Sequence, residues 1–184
     1  MKRRLFLQFP LVASALIAEA QNPVQNRPKK GFKVEGGQGH YQEELLIMGG
    51  KFNCKVSAKD TNGDLCIYDT IRHEKGGPAL HLHHNQDEWF YIIKGEVIVK
   101  VGDEMFNLKA GDSAFAPRTV PHAFAKISTA EAQMLLLFQP AGSIEDFFKQ
   151  MSKLGPNIPK DQEHTLKALW EAHGMEIVGP PLKV

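Results

Sequence analysis

From Glu44 to Pro140 the chain is cut into short apolar or alternating runs by closely spaced turn residues, and this most narrows what it can fold into. The runs are Leu45–Ile47, Leu65–Ile71, Trp89–Ile93, Val97–Val101, Ser113–Ala116 and Gln133–Phe138. Between them stand Asn62-Gly63, Gly76-Gly77-Pro78, Lys94-Gly95, Gly102-Asp103 and Ala110-Gly111-Asp112. Many short strands separated by Gly, Pro, Asn and Asp point to an all-β sandwich or barrel. No alternation of strand and helix suggests a parallel sheet, and no repeat of the central unit suggests a second barrel. After Pro140 the period changes. Ile144, Phe147, Phe148, Met151 and Leu154 recur at helical spacing behind Ser143, a candidate N-cap. A second amphipathic stretch runs from about 161 to 173, where Gly174 stops it, and Gly179-Pro180-Pro181 reads as the end of regular structure. The expected organisation is a barrel over 41–140 and a helical extension over 141–184 with two short helices, preceded by a loose polar arm over 21–40.

The length of 184 residues suits one domain, and an apolar content of 42% with 23% charged residues predicts a folded core. A net charge of +1 without a basic stripe gives no footprint for nucleic acid. No apolar run reaches the roughly 18 residues that a membrane helix needs, so no membrane partner is expected for the mature form.

Residues 1–20 read as a signal peptide. Lys2, Arg3 and Arg4 precede an apolar stretch from Phe9 to Ala18, and Ala18-Glu19-Ala20 offers a small-x-small cleavage site. Arg3-Arg4-Leu5-Phe6-Leu7 resembles the twin-arginine signal, whose route exports proteins already folded. The expected location is therefore periplasmic or secreted. Removing Lys2, Arg3, Arg4 and Glu19 leaves 19 basic residues against 20 acidic ones, a mature net charge of about −1. Cys54 and Cys66 would meet disulfide-permissive conditions there. A tight hairpin at Thr61-Asn62-Gly63-Asp64 would place Cys66 opposite residue 59, so two separate, buried thiols are expected.

The segment from Pro78 to Glu96 carries the chemistry. His81 and His83 are two apart, so on a strand both imidazoles leave the same face. Glu88 lies at an odd distance from His83. The polar tract His84-Asn85-Gln86-Asp87 can turn the chain and return the carboxylate to the pair on the neighbouring strand. A later segment from Gly111 supplies His122. Three imidazoles and a carboxylate suit one divalent transition metal (Fe, Mn, Ni, Co, Cu or Zn) and leave room for a further ligand. His84 should point away from His83's face. His40, His73, His164 and His173 have no spacing partners and are expected at the surface. Trp89, Phe90 and Tyr91 read as core. By alternation Phe90 shares the face of Glu88 and Phe124 that of His122, which makes these two the candidate walls of a substrate pocket.

The spacing His-x-His-x4-Glu-x6-Gly at His81, His83, Glu88 and Gly95, then Gly-x5-Pro-x4-His at Gly111, Pro117 and His122, resembles the two motif blocks of the cupin superfamily. The resemblance covers roughly residues 44–140. It implies a jelly-roll double-sheet barrel with the metal inside, held by the three histidines and the glutamate. The chain departs from the pattern at Thr119, where the family usually has Gly, and at Lys126, where it often has Asn; both lie off the ligand set.

Cupins host oxygenases, isomerases, epimerases and plain binders, so fold alone does not decide function. The complete ligand set argues against the sugar epimerases of the superfamily. The tail, Pro140-Ala-Gly-Ser-Ile-Glu-Asp-Phe-Phe and Ala172-His-Gly-Met-Glu-Ile-Val-Gly-Pro-Pro-Leu182, resembles the quercetinase-like dioxygenases. That resemblance implies cleavage of a flavonol-like, polyphenolic or enolic small molecule by dioxygen, with Glu88 both ligating and accepting the substrate's hydroxyl proton. The rivals are a non-catalytic metallo-cupin that binds a small sugar or organic acid, and a metal-dependent sugar isomerase. No dense Arg/Lys cluster for a phosphate favours the latter. A homodimer is expected, because an open sheet edge needs covering.

Overall fold

The computed structural model describes residues 27–155 and 163–184. The proposed signal segment lies outside them. Eleven strands and two helices follow in the order β1 (Leu45–Ile47), β2 (Gly50–Val56), β3 (Cys66–Arg72), β4 (Ala79–His83), β5 (Asp87–Lys94), β6 (Glu96–Val101), β7 (Glu104–Lys109), β8 (Ser113–Ala116), β9 (His122–Lys126), β10 (Ala132–Gln139), α1 (Ile144–Lys153), α2 (Glu163–Ala172) and β11 (Met175–Pro181). They form two antiparallel sheets, one in the order β1-β2-β3-β10-β5-β8, the other β11-β4-β9-β6-β7. The architecture is a jelly-roll double-sheet barrel with two short helices. None of the described helices is long and apolar enough to cross a membrane.

The barrel follows from alternation. On β10, Ala132, Met134, Leu136 and Phe138 are at most 3% exposed, while the residues between them are half-buried. Val97 and Val99 of β6 face them from the other sheet, fully buried. Each such aliphatic or aromatic side chain removed from water contributes about 1.5–3 kcal/mol. The same alternation corrects one expectation. Phe90 is buried, but Trp89 and Tyr91 are only half-buried on the outer face of β5, stacked on each other with ring centroids 5.5 Å apart.

α1 buries Ile144, Phe147, Phe148 and Met151 against the barrel. Phe148 packs between Phe52 and Tyr68, at ring centroid distances of 5.0 and 4.9 Å. Ser143 does not cap the helix with its side chain. Its hydroxyl instead pairs with Nδ1 of His173 at 2.8 Å, so His173 is engaged rather than merely solvent-facing. Gly174 ends α2 with a left-handed φ of 74°, a conformation that glycine adopts without a Cβ penalty. Beyond it the extension is not helical to its end. Met175–Pro181 returns as β11 and pairs with β4, setting Met175 opposite His83 and Ile177 opposite His81. As an edge strand with register shifts on either side of Gly179, it tolerates Pro180 and Pro181.

The β2–β3 connection spans residues 57–65, so the hairpin is not tight. Cys54 lies opposite Tyr68, and Cys66 opposite Phe138 of β10. Both thiols are free, as expected, but Cys54 is only half-buried and the two are not remote. The two sulfurs and a carboxylate oxygen of Glu145 lie within 4.8 Å of one another. Cys54 Sγ donates to Glu145 at 3.3 Å, and the interaction with Cys54, together with burial, pushes the Cys66 thiol up.

Candidate metal centre

His81 and His83 project inward from β4 and are 6% and 1% exposed. β4 and β5 belong to different sheets. The turn at His84-Asn85-Gln86 therefore carries Glu88 across the interior, and the carboxylate meets the imidazoles from the opposite wall rather than from an adjacent strand. His122, the first residue of β9, is the direct cross-strand partner of His81. The four side chains are buried, and their ligand atoms lie within 4.8 Å of one another.

Hydrogen bonds set the direction in which each ring presents its free nitrogen. Nδ1 of His81 donates to the Ala79 carbonyl at 2.8 Å, and Nδ1 of His122 to the Val120 carbonyl at 2.9 Å. Nδ1 of His83 donates to Gln86 Oε1 at 2.9 Å. With the Nδ1 atoms so engaged, every Nε2 is left to face the centre, the arrangement that metal-ligating histidines require. Glu88 Oε2 lies 3.0 Å from Nε2 of His122 and 3.5 Å from Nε2 of His83.

The electrostatics favour a positive charge at this spot. Burial, aided by the neighbouring His122 and His83, pushes the His81 imidazolium down to about 3. Burial would raise Glu88, yet the hydrogen bonds from His122 and His83 overcome it and hold the carboxyl well below its usual range. Burial likewise opposes charge on His122, but Glu88 outweighs it and raises the imidazolium. A buried carboxylate among imidazoles therefore keeps a positive charge beside it, either a proton on His122 or a metal ion. Donor types, spacing and ring orientation all fit a divalent transition metal.

Gln86 is the functional neighbour that the spacing argument missed. It is buried, accepts from His83, and anchors itself by donating from Nε2 to the carbonyls of Pro140 and Ala141. A polar residue buried between ligands in a turn was its only signal. Gly142 makes room for it: at φ 52°, a Cβ there would lie 2.9 Å from Gln86 Nε2.

A cavity with about 50 Å³ of free space opens beside the centre, lined by His81, His83 and Glu88 among others. Phe124 is on its wall. Phe90 is not; it packs behind, with its ring centroid 6.2 Å from His122 and 6.0 Å from Phe124. Neither spacing nor motif pointed to Arg72, or to the extension's part: Ile144, Phe147, Phe148, Met151 and Trp170 also line the cavity. Trp170 sets its ring edge-on to His81 at 4.7 Å. His84 points outward, 3.8 Å from Glu176. His73 and His164 are exposed, and His40 is half-buried between Phe32 and Tyr41.

The two departures from the motif have local consequences. Thr119 holds a left-handed φ of 68°, where glycine would be unstrained, and its N–H donates to the His83 carbonyl at 2.7 Å. Lys126 is fully buried, and its ammonium donates to the Ser128 carbonyl at 2.7 Å.

Comparison with known proteins agrees with this geometry. Residues 70–138 match the Cupin domain family. A 67-residue stretch is 31% identical to an uncharacterised protein of Methanocaldococcus jannaschii, covering 36% of this chain and 54% of that protein. The chain thus spans about half the length of the curated relative it matches. An RmlC-like cupin from Shewanella frigidimarina is similar at 26% identity and a TM-score of 0.51, over 64% of this chain and 96% of that one. KdgF from Halomonas sp. shares the fold at 19% identity and a TM-score of 0.52, over 60% and 94% of the two chains. The segment 70–138 thus matches the Cupin domain, and the two-sheet barrel around it is similar to that of the Shewanella cupin.

Proposed function

We propose that the chain is a metal-dependent dioxygenase acting on a small enolic or polyphenolic molecule. The observation that carries this reading is the chemistry of the cavity wall. Apart from the ligands, Arg72 is the one charged side chain on it among the described residues, and the rest is almost wholly aliphatic or aromatic. A sugar would leave its hydroxyls unpaired against such a wall, at about 1–3 kcal/mol for each buried group left without a partner. This disfavours the isomerase and the sugar binder. An enol or phenol needs polar contact only at its oxygens.

A divalent transition metal held by His81, His83, Glu88 and His122 would supply Lewis-acid and one-electron chemistry. The chain's own residues do the rest. Glu88 is ionised and placed beside the centre, so it can accept the proton of an incoming hydroxyl. α1 and Trp170 exclude water. The free space is far below the ~300 Å³ of a drug-sized pocket. A substrate smaller than a flavonol suits this free space, and a flavonol would require α1 and α2 to move outward.

The test is dioxygen uptake by mature protein reloaded separately with Fe, Mn, Ni, Co and Cu, against catechols, small enols and flavonols. Metal-dependent uptake that Glu88→Gln abolishes while metal content is retained supports the reading. No uptake by any metal-bound form, with any substrate, removes it and leaves a binding role.

The basic, apolar and small-residue segments of residues 1–20 support export of the mature protein by the twin-arginine route. Replacing Arg3 and Arg4 together by Lys should hold the protein in the cytoplasmic fraction. Exposed Phe106 and Phe115, on strands at the edges of the two sheets, support a homodimer. A monomeric mass in sedimentation would remove that proposal.

A further inference from the structure

Among the described residues, the buried side-chain atoms without a hydrogen-bond partner are both amide atoms of Asn53, Nε of Arg72 and Nε1 of Trp170. Arg72 and Trp170 line the same metal-facing cavity, although one ends β3 and the other sits in α2. They are 4% and 5% exposed. Both side chains are donors only. Unpaired buried donors are rare because desolvation penalises them, so two on one cavity wall need an explanation.

Arg72 also carries a buried charge. No carboxylate lies within ion-pair distance of it among the described residues. Its Nη2 donates to the Met48 carbonyl at 2.8 Å, and its guanidinium carbon lies 5.6 Å from the centre of the Phe124 ring. A Cβ at residue 50 would stand 2.9 Å from Nη1, so Gly50 leaves the guanidinium its room. One carbonyl and one ring account for its position. They leave the Nε proton unanswered, and the exposed Glu74 acts on the charge only from beyond ion-pair distance.

We infer that this cavity receives a small organic carboxylate, of the enolisable 2-oxo acid kind. Arg72 pairs with its negative charge, and the Trp170 indole N–H donates to one of its oxygens. The inference rests on the proposed function only in taking the metal-facing cavity as the substrate site. It narrows that reading from enols in general to enols that bear an acid. The charge balance agrees: a divalent ion with Glu88 leaves a net positive centre, Arg72 adds another positive charge, and the surrounding wall is apolar. The small free volume favours acids of a few carbons.

The experiment is calorimetric titration of the mature chain loaded with zinc, which is redox-silent, using pyruvate and 2-oxobutanoate against the neutral pyruvamide. Both acids are expected to bind at least about ten-fold more tightly than the amide. Arg72→Met should erase that preference with zinc content unchanged, and Arg72→Lys should keep part of it. Trp170→Phe, which keeps the ring and loses the N–H, should weaken acid binding by about three- to ten-fold. Equal affinity for acid and amide, no heat with either acid, or an undiminished preference in Arg72→Met overturns the inference. Should Arg72→Met fail to fold, wild-type affinities in both Arg72→Lys and Trp170→Phe overturn it equally. Acid binding without dioxygen uptake by the redox-metal forms would remove the dioxygenase reading and leave this one. Uptake with a neutral enol, unaffected by Arg72→Lys, would do the reverse.

Discussion

Nδ1 of His83 and Oε1 of Gln86 lie 2.9 Å apart, and this contact ties the first motif block to the start of the C-terminal extension. Through its own Nε2, Gln86 reaches the Pro140 and Ala141 carbonyls, so one side chain both orients a ligand ring and pins the chain leading into α1. Gln86→Leu keeps the volume and removes the acceptor. Metal affinity should fall about 10–100-fold, as for other lost outer-shell partners. Competition against a chelator of known affinity measures it, and an unchanged affinity would remove Gln86 from the centre.

Metal and proton compete at His122. Glu88 favours a proton on that ring, and the metal must displace it. Affinity should therefore rise with pH until His122 titrates, with release of about one proton per ion near neutral pH. Titrations in buffers of different ionisation enthalpy count that proton. Metal at 100 times its dissociation constant should stabilise the wild type by about 2.7 kcal/mol. His122→Ala should show little of that gain.

Thr119 is exposed and left-handed, so its side chain adds strain without packing. Relief of about 1–2 kcal/mol of strain is partly offset by the entropy of a freer unfolded glycine. Thr119→Gly should raise stability by up to about 1 kcal/mol, or about 2–4 °C in Tm. Its backbone bond to His83 should persist. A lower Tm would show that the side chain has a stabilising role.

Arg118 donates from Nε and Nη2, and from its backbone N–H, to Asp87, next to Glu88 in sequence. Those bonds hold the Asp87 carboxyl down to about 2. A depressed folded-state value means the stabilisation is complete above the unfolded carboxyl value of about 4. It is lost as pH falls from there toward 2. The Tm difference between wild type and Asp87→Asn should be widest near neutrality and close over that acid window. A gap that widens on acidification would contradict the assignment.

Strand patterning and motif spacing carried much of this protein in its sequence. Alternation at Val97, Val99, Leu136 and Phe138 specifies a two-faced sheet, because successive strand side chains must point to opposite sides. The separation of His81 and His83 specifies two imidazoles on one face, and the helical period from Ile144 to Met151 specifies α1. These are local rules, legible wherever one element supplies the whole pattern. What needs two distant segments to meet was decided only in the tertiary structure. β4 and β5 part into different sheets, so Glu88 approaches across the interior. Met175–Pro181 becomes a strand because β4 offers an open edge, despite Gly179 and two prolines. Trp89 and Tyr91 face outward because burial of Phe90 and Ile92 takes the inner side. Gln86, Arg72 and Trp170 reach the site from a turn, the end of a strand and a late helix, with no fixed spacing between them. A side chain's role is set by its neighbours in space, and sequence distance encodes those neighbours only within a single element.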